Sequence, residues 1–207
     1  MSQSSNRKKV YPARMFKRAK IVCPSCLKRY EETGEKCQHC GFDAQRSAQQ
    51  FDFTPPVMER FMDKAGIIAQ ADEKLIEDVG AAVDDLIKKF SQLELYFCAL
   101  ELGESVNISE FGFWMMNACP LQQGQDERSR AWSILLLMDV KRGLISLTPG
   151  YAIEAFIDDS AWEGALQAMA GHLAAGDYRA ALLGFVEDAG QLLRDSAKNV
   201  NEKINRK

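Results

Sequence analysis

The chain of 207 residues predicts an α/β protein: a sandwich of helices around a small mixed sheet, preceded by a small ribbon held by four cysteines. Three observations carry this expectation. Two CxxC pairs stand close together in "CPSCLKRYEETGEKCQHC", a spacing that suits one tetrahedral metal cage. "LELYFCAL" and "AWSILLLMD" are short apolar runs of the kind that form buried strands. Leu75, Ile76, Val79, Val83, Leu86, Ile87 and Phe90 recur at helical spacing before the first run, marking one apolar stripe on a long helix.

Composition bounds the function classes. With 46% hydrophobic and 27% charged residues, the chain is neither disordered nor a membrane protein. Its longest apolar run, "SILLLM", is far below the roughly 20 residues that span a bilayer, so no transmembrane segment is expected. Charge is unevenly placed. Residues 1–50 hold 11 Lys/Arg against 4 Asp/Glu, and residues 51–207 hold 15 against 25, so a basic head precedes an acidic body.

Residues 1–20 read as a basic flexible leader, with seven Lys/Arg and no acid. Apolar residues are interleaved with the charges, so no signal core forms and a cytoplasmic location is expected. In that reducing setting, grouped cysteines are metal ligands or catalytic thiols rather than disulfides. The leader, with Lys28, Arg29 and Tyr30 of the ribbon, would suit a protein partner or the phosphates and bases of a nucleic acid.

Residues 21–45 form the expected zinc ribbon. Neither CxxC is followed by a helical apolar period, which a thioredoxin-like redox site requires. Cys23, Cys26, Cys37 and Cys40 instead supply four thiolates for one structural zinc. Pro24 and Gly41 suit tight knuckles, and "LKRYEETGEK" reads as two short strands around Thr33-Gly34. A closed four-sulfur set leaves no open position for catalysis. His39 then reads as a solvent-facing knuckle residue.

Residues 46–64 read as a linker with a lead-in helix running from Pro55-Pro56 through Met62. The α/β domain is expected over 65–195. In it the long helix is followed by a first strand at "LELYFCAL", a helix capped by Asn107 or Ser109 and running through Met116, and a second strand at "AWSILLLMD". A turn at Lys141-Arg142-Gly143 leads to an antiparallel third strand, "LISLTP". Trp162, Leu166, Met169 and Leu173 mark one further helix; Tyr178, Leu182, Phe185, Val186, Ala189 and Leu193 mark the last. Cys98, Cys119, Trp114, Met115 and Met116 read as core, and His172 as a capping or surface residue. Residues 196–207 read as a polar tail that frays from the last helix.

Several segments resemble the TPM domain family, known from bacterial envelope and thylakoid lumen proteins. They are "ISEFGFWMMN", the Leu-rich "ILLLM", "GYAIEAFIDDS", which is similar to the family's Gly-Tyr-Gly-Leu-Glu segment with an Asp further on, and "GDYRAAL", similar to its Gly-Asp-Tyr helix start. The resemblance implies a TPM-like α/β/α sandwich. It also implies two kinds of activity, since some members look like divalent-metal-binding acid phosphatases and others act in assembly or repair of membrane complexes. Carried over by position, it assigns Glu154, Asp159 and Asp177 to a possible calcium or magnesium site. A phosphatase would act through Asp126, Asp139, Asp159 and Asp177.

This chain departs from the family where the chemistry is concentrated. Ala131-Trp132-Ser133 stands where the family usually has Asp-Asn-Gly, Cys119-Pro120 replaces Trp-Gly, and Ala152 follows Tyr151. Asp159 and Asp177 also stand where helix caps are expected. The reading that follows is a non-enzymatic adaptor, binding or assembly factor, with the phosphatase as the alternative.

Overall fold

The computed structural model describes residues 21–30, 36–51, 54–64, 66–121, 127–154, 156–157 and 159–205. In chain order the elements are β1 Ile21–Val22, β2 Arg29–Tyr30, α1 Ala44–Gln50, β3 Phe61–Asp63, α2 Ile67–Ala71, α3 Leu75–Lys89 and β4 Glu94–Leu100. They continue with α4 Ile108–Ala118, α5 Glu127–Ala131, β5 Ser133–Asp139, β6 Leu144–Pro149, α6 Tyr151–Glu154, α7 Asp159–Ala174 and α8 Tyr178–Asn205. No helix among the described residues is long and apolar enough to cross a membrane.

One mixed sheet, ordered β3-β4-β5-β6, organises the α/β domain. Strands β3, β4 and β5 run parallel, and β6 returns antiparallel to β5. Every residue of β5 is buried, as are all but the first of β4, so both faces of the sheet must be covered. The period of two divides each strand's side chains between two cores. Ile134, Leu136 and Met138 join Leu95, Phe97 and Ala99 against α3, α7 and α8. Leu135 and Leu137 join Tyr96, Cys98 and Leu100 against α4. The expected α/β sandwich is therefore three-layered.

Local signals explain the covering helices. Asn107 caps α4, its Oδ1 accepting the Ser109 and Glu110 N–H groups at 2.9 and 3.2 Å. Leu75, Val79, Val83 and Leu86 are the buried stripe of α3. Strand β6 turns Ile145 and Leu147 to the α7/α8 side, while Ser146 Oγ donates to Ser109 Oγ at 3.2 Å on the α4 side. Helix α8 is clamped to α2 and α3 by Arg179, whose Nε meets Asp72 Oδ2 at 2.7 Å and Nη1 meets Asp78 Oδ2 at 2.6 Å. The Arg179 hydrogen bond holds the Asp72 carboxyl below the usual carboxylate range.

Three local expectations are corrected. The helix through Met62 is absent; residues 61–63 are an extra strand, β3, because Phe97 N–H donates to Arg60 O at 2.8 Å and Lys64 N–H to Ala99 O at 3.1 Å. Phe61 stacks on Phe97 at 5.2 Å, and Met62 lies in the opposite core, as strand alternation requires. The ribbon strands lie either side of the first knuckle, Ile21 pairing with Tyr30 and Val22 with Arg29; Thr33-Gly34 lies outside the described residues. Residues 196–205 do not fray but continue α8. Ser196 Oγ donates to Phe156 O at 2.8 Å, and no Gly or Pro follows Gly190 to break the helix.

The packing and the Arg179 ion pairs set three expected outcomes. A Cβ at Gly150 would lie 2.4 Å from Arg130 O and 2.5 Å from Ala131 O, so Gly150→Ala should destabilise by about 1–3 kcal/mol. Gly164→Ala, on open space in α7, should stabilise by about 0.5–1 kcal/mol; urea titration of both variants checks the pair. The Asp72 pairing contributes above the unfolded carboxylate value of about 3.9 and is lost as pH falls through the lower folded value. Asp72→Asn should therefore lower stability at neutral pH and flatten its acid decline, read from thermal melts across pH.

Candidate metal centre

Both knuckles are built alike. Cys23 N–H donates to Lys28 O at 3.0 Å and Leu27 N–H to Cys23 O at 2.8 Å; Cys37 N–H donates to Phe42 O at 2.8 Å and Gly41 N–H to Cys37 O at 2.8 Å. Each turn thus puts the residue four after its first cysteine in the left-handed region, Leu27 at φ 57° and Gly41 at φ 73°. The glycine adopts this freely and the leucine does so at a cost.

The turns bring all four sulfurs within 4.8 Å of one another. Cys23 Sγ lies 3.6 Å from Cys40 Sγ, and Cys26 Sγ lies 3.8 Å from Cys37 Sγ. A disulfide needs about 2.05 Å. A tetrahedron with metal–sulfur bonds of about 2.3 Å has edges of about 3.8 Å, so the spacing fits one ion held by four thiolates. Cys23 and Cys37 are buried and their partners half-buried. Among the described residues, no other group of His, Cys, Asp or Glu converges in this way.

The thiols are electrostatically unequal. Burial pushes Cys23 up to about 12. Burial also raises Cys37, but the backbone N–H groups of His39 and Cys40 and the Cys23 and Cys26 thiols bring it down to about 6. Metal binding must expel the remaining thiol protons, so affinity weakens as pH falls. His39 is exposed and serves the site through its backbone N–H, 3.4 Å from Cys37 Sγ.

The cage is joined to the α/β domain by aromatic contacts that sequence reading missed. Phe42 is buried against Cys23 and Cys37 and meets Phe113 of α4 edge-on at 5.6 Å. Asp43 caps α1, its Oδ1 accepting Arg46 N–H at 2.7 Å. Phe51, at the end of α1, packs on Phe111 and Trp114 at 5.2 and 5.6 Å. The aromatic residue directly after the second knuckle was the available signal for Phe42; nothing local to α4 singles out Phe113.

The acidic residues do not form one site. Helix α7 has 16 residues, about 24 Å at 1.5 Å per residue, and separates Asp159 at its start from Asp177 beyond its end. Glu154 follows β6, whose Pro149 pairs with Ile134 near the start of β5, so Glu154 and Asp159 stand at the edge where β5 begins. Asp139 ends β5, at the opposite edge. The proposed set of Glu154, Asp159 and Asp177 therefore cannot close on a single ion, nor can Asp139, Asp159 and Asp177 share one phosphate. Asp126 lies outside the described residues.

Local partners explain two of these acids. Buried Asp139 accepts Arg142 Nε at 2.5 Å and Arg142 N–H at 3.3 Å, while Arg142 Nη1 donates to Glu104 O and Val106 O. The pair ties the β5–β6 turn to the loop before α4; Arg142, three residues after an acid, was read only as part of the turn. Asp177 Oδ1 accepts Ala180 N–H at 2.9 Å and caps α8. A cavity of about 140 Å³ beside Asp139 is otherwise lined by apolar residues, including Ile68, Leu173 and Tyr178. At the other end of the strand, Trp132 stacks on Phe156 at 5.6 Å.

The profile of a family described as the TPM domain matches residues 61–192. No curated protein matches the chain. Among solved structures, the BA42 protein of the psychrophilic bacterium Bizionia argentinensis is similar at 15% identity, covering 62% of this chain and 81% of that one with a TM-score of 0.42. The N-terminal domain of a protein from P. gingivalis is similar at 17% identity, covering 75% and 93% with a TM-score of 0.46.

The Phe42–Phe113 contact predicts coupling between cage and domain. Phe113→Ala, which removes no ligand, should weaken metal binding by roughly threefold to tenfold, from an aromatic pair contribution of about 0.5–1.5 kcal/mol. Competition with a chromophoric chelator reads this directly, and an unchanged affinity would show the two parts to be independent.

Proposed function

The chain belongs to the TPM domain family over residues 61–192, and on that premise we propose that it is a non-enzymatic, cytoplasmic adaptor or assembly factor. Its zinc ribbon and basic leader recruit a protein partner to the TPM domain. The observation that carries this reading is the closed set of four sulfurs at tetrahedral spacing. Four thiolates suit zinc and leave no position for water or substrate, so the ion's task is to hold a surface. Reduced thiols in turn suit a reducing compartment.

The separation of the acids supports the same reading. Asp139 and Asp177 serve as an ion-pair anchor and a helix cap. The second reading, a divalent-metal-dependent acid phosphatase, retains Glu154 and Asp159, which share one sheet edge. There Trp132 replaces the small residues that admit metal and substrate in the family, which weighs against it.

One preparation decides between them. The full chain should contain one zinc per molecule by elemental analysis and lose its ribbon signals on chelation. It should hydrolyse p-nitrophenyl phosphate with calcium, magnesium or manganese no faster than Glu154→Gln and Asp159→Asn variants. Turnover abolished by either substitution would replace the adaptor with the phosphatase.

A further inference from the structure

Five elements meet at the carboxyl end of β5 around a cavity of about 140 Å³. Its walls are Ile68 of α2, Met138 of β5, Ile145 of β6, Leu173 of α7 and Tyr178 of α8, and the exposed Ala170 and Ala174 of α7 leave its mouth open. Folded interiors keep few voids larger than a water molecule, and an unfilled apolar space of this size destabilises a fold. Strands β3, β4 and β5 are parallel, and ligands of open α/β sheets collect outside the carboxyl ends of such strands. We infer that the cavity is a binding site for a small uncharged aromatic molecule, about one ring in size.

Size, charge and wall chemistry each select this class. An apolar cavity of about 150 Å³ holds one benzene, so neither a peptide segment nor a nucleotide fits. A charged ligand would lose water without gaining a counterion, because Asp139 is the one charged residue on the walls among those described and it meets the cavity through its main chain. Strand alternation is the reason. Met138 faces α7 and α8, so the Asp139 side chain lies on the α4 side, held by Arg142, whose Nη1 donates at 2.8 Å to Val106 O in the loop before α4. The Met138 thioether and the Tyr178 ring favour an aromatic guest over an aliphatic one, through sulfur–aromatic contact and ring stacking. Glu154 and Asp159 stand at the opposite end of β5, so the cavity shares nothing with the phosphatase alternative.

The test is a methyl-detected NMR titration of the full chain with toluene, methylcyclohexane, benzoate and benzylamine as probes. Toluene should shift the methyl groups of Ile68, Met138, Ile145 and Leu173 saturably, methylcyclohexane should bind more weakly, and the two charged probes should bind at least roughly tenfold less tightly than toluene. Ala170→Phe and Ala174→Phe, each at an exposed position of α7, should fill the mouth and abolish the toluene shifts while circular dichroism stays unchanged. No saturable shift with toluene would overturn the site. Charged probes binding as tightly as toluene would overturn its neutrality, and methylcyclohexane binding as tightly would overturn its preference for a ring of π electrons. Toluene shifts that persist in both folded variants, or that fall on other methyl groups, would overturn its place. None of these outcomes involves the ribbon, so the adaptor reading stands or falls separately.

Discussion

The burial of β5 along its whole length is the constraint on which the α/β domain depends. A strand with no exposed residue needs neighbours at both edges and cover on both faces, because every backbone group must be paired and every side chain kept from water. Strands β4 and β6 meet the first need, while α4 on one face and α3, α7 and α8 on the other meet the second. The same strand sets the distance between possible sites. Seven residues at about 3.3 Å each place its two ends about 20 Å apart, and acids distributed between them cannot act together.

The ribbon is governed by a different balance. Its described core is three residues, Cys23, Cys37 and Phe42, far too little apolar area to offset chain entropy without a metal. Phe42 packs on both the cysteines and Phe113 of α4, so one ring links the cage to the domain. After the cage come the short helix α1 and then Phe51 and Met58, both buried in the core on the α4 side of the sheet.

Much of this was legible in the sequence. CxxC spacing implied the cage because tetrahedral thiolate coordination depends on local turns, and both knuckles are short enough to be written in consecutive residues. The α3 stripe and the runs of β4 and β5 were equally plain. Strand β3 was not, because three residues after Pro55-Pro56 carry little periodicity and Met58 and Met62 also stand one helical turn apart. The acids stayed open for a related reason: carboxylates that begin helices look alike whether they bind an ion or cap backbone N–H groups, and only partners such as Ala180 N–H on Asp177 distinguish them.

By itself, the amino-acid sequence determined the cysteine cage, the fold class, most of the elements and the basic head on an acidic body, since each follows from spacing, periodicity or charge along the chain. Tertiary structure decided three things: that β3 joins the sheet, that Phe42 docks the cage on α4, and that Glu154 and Asp159 stand apart from Asp139 and Asp177. These depend on contacts between residues far apart in sequence, whose geometry is set by how helices of given length lie along a strand of given length. No local pattern records that arrangement.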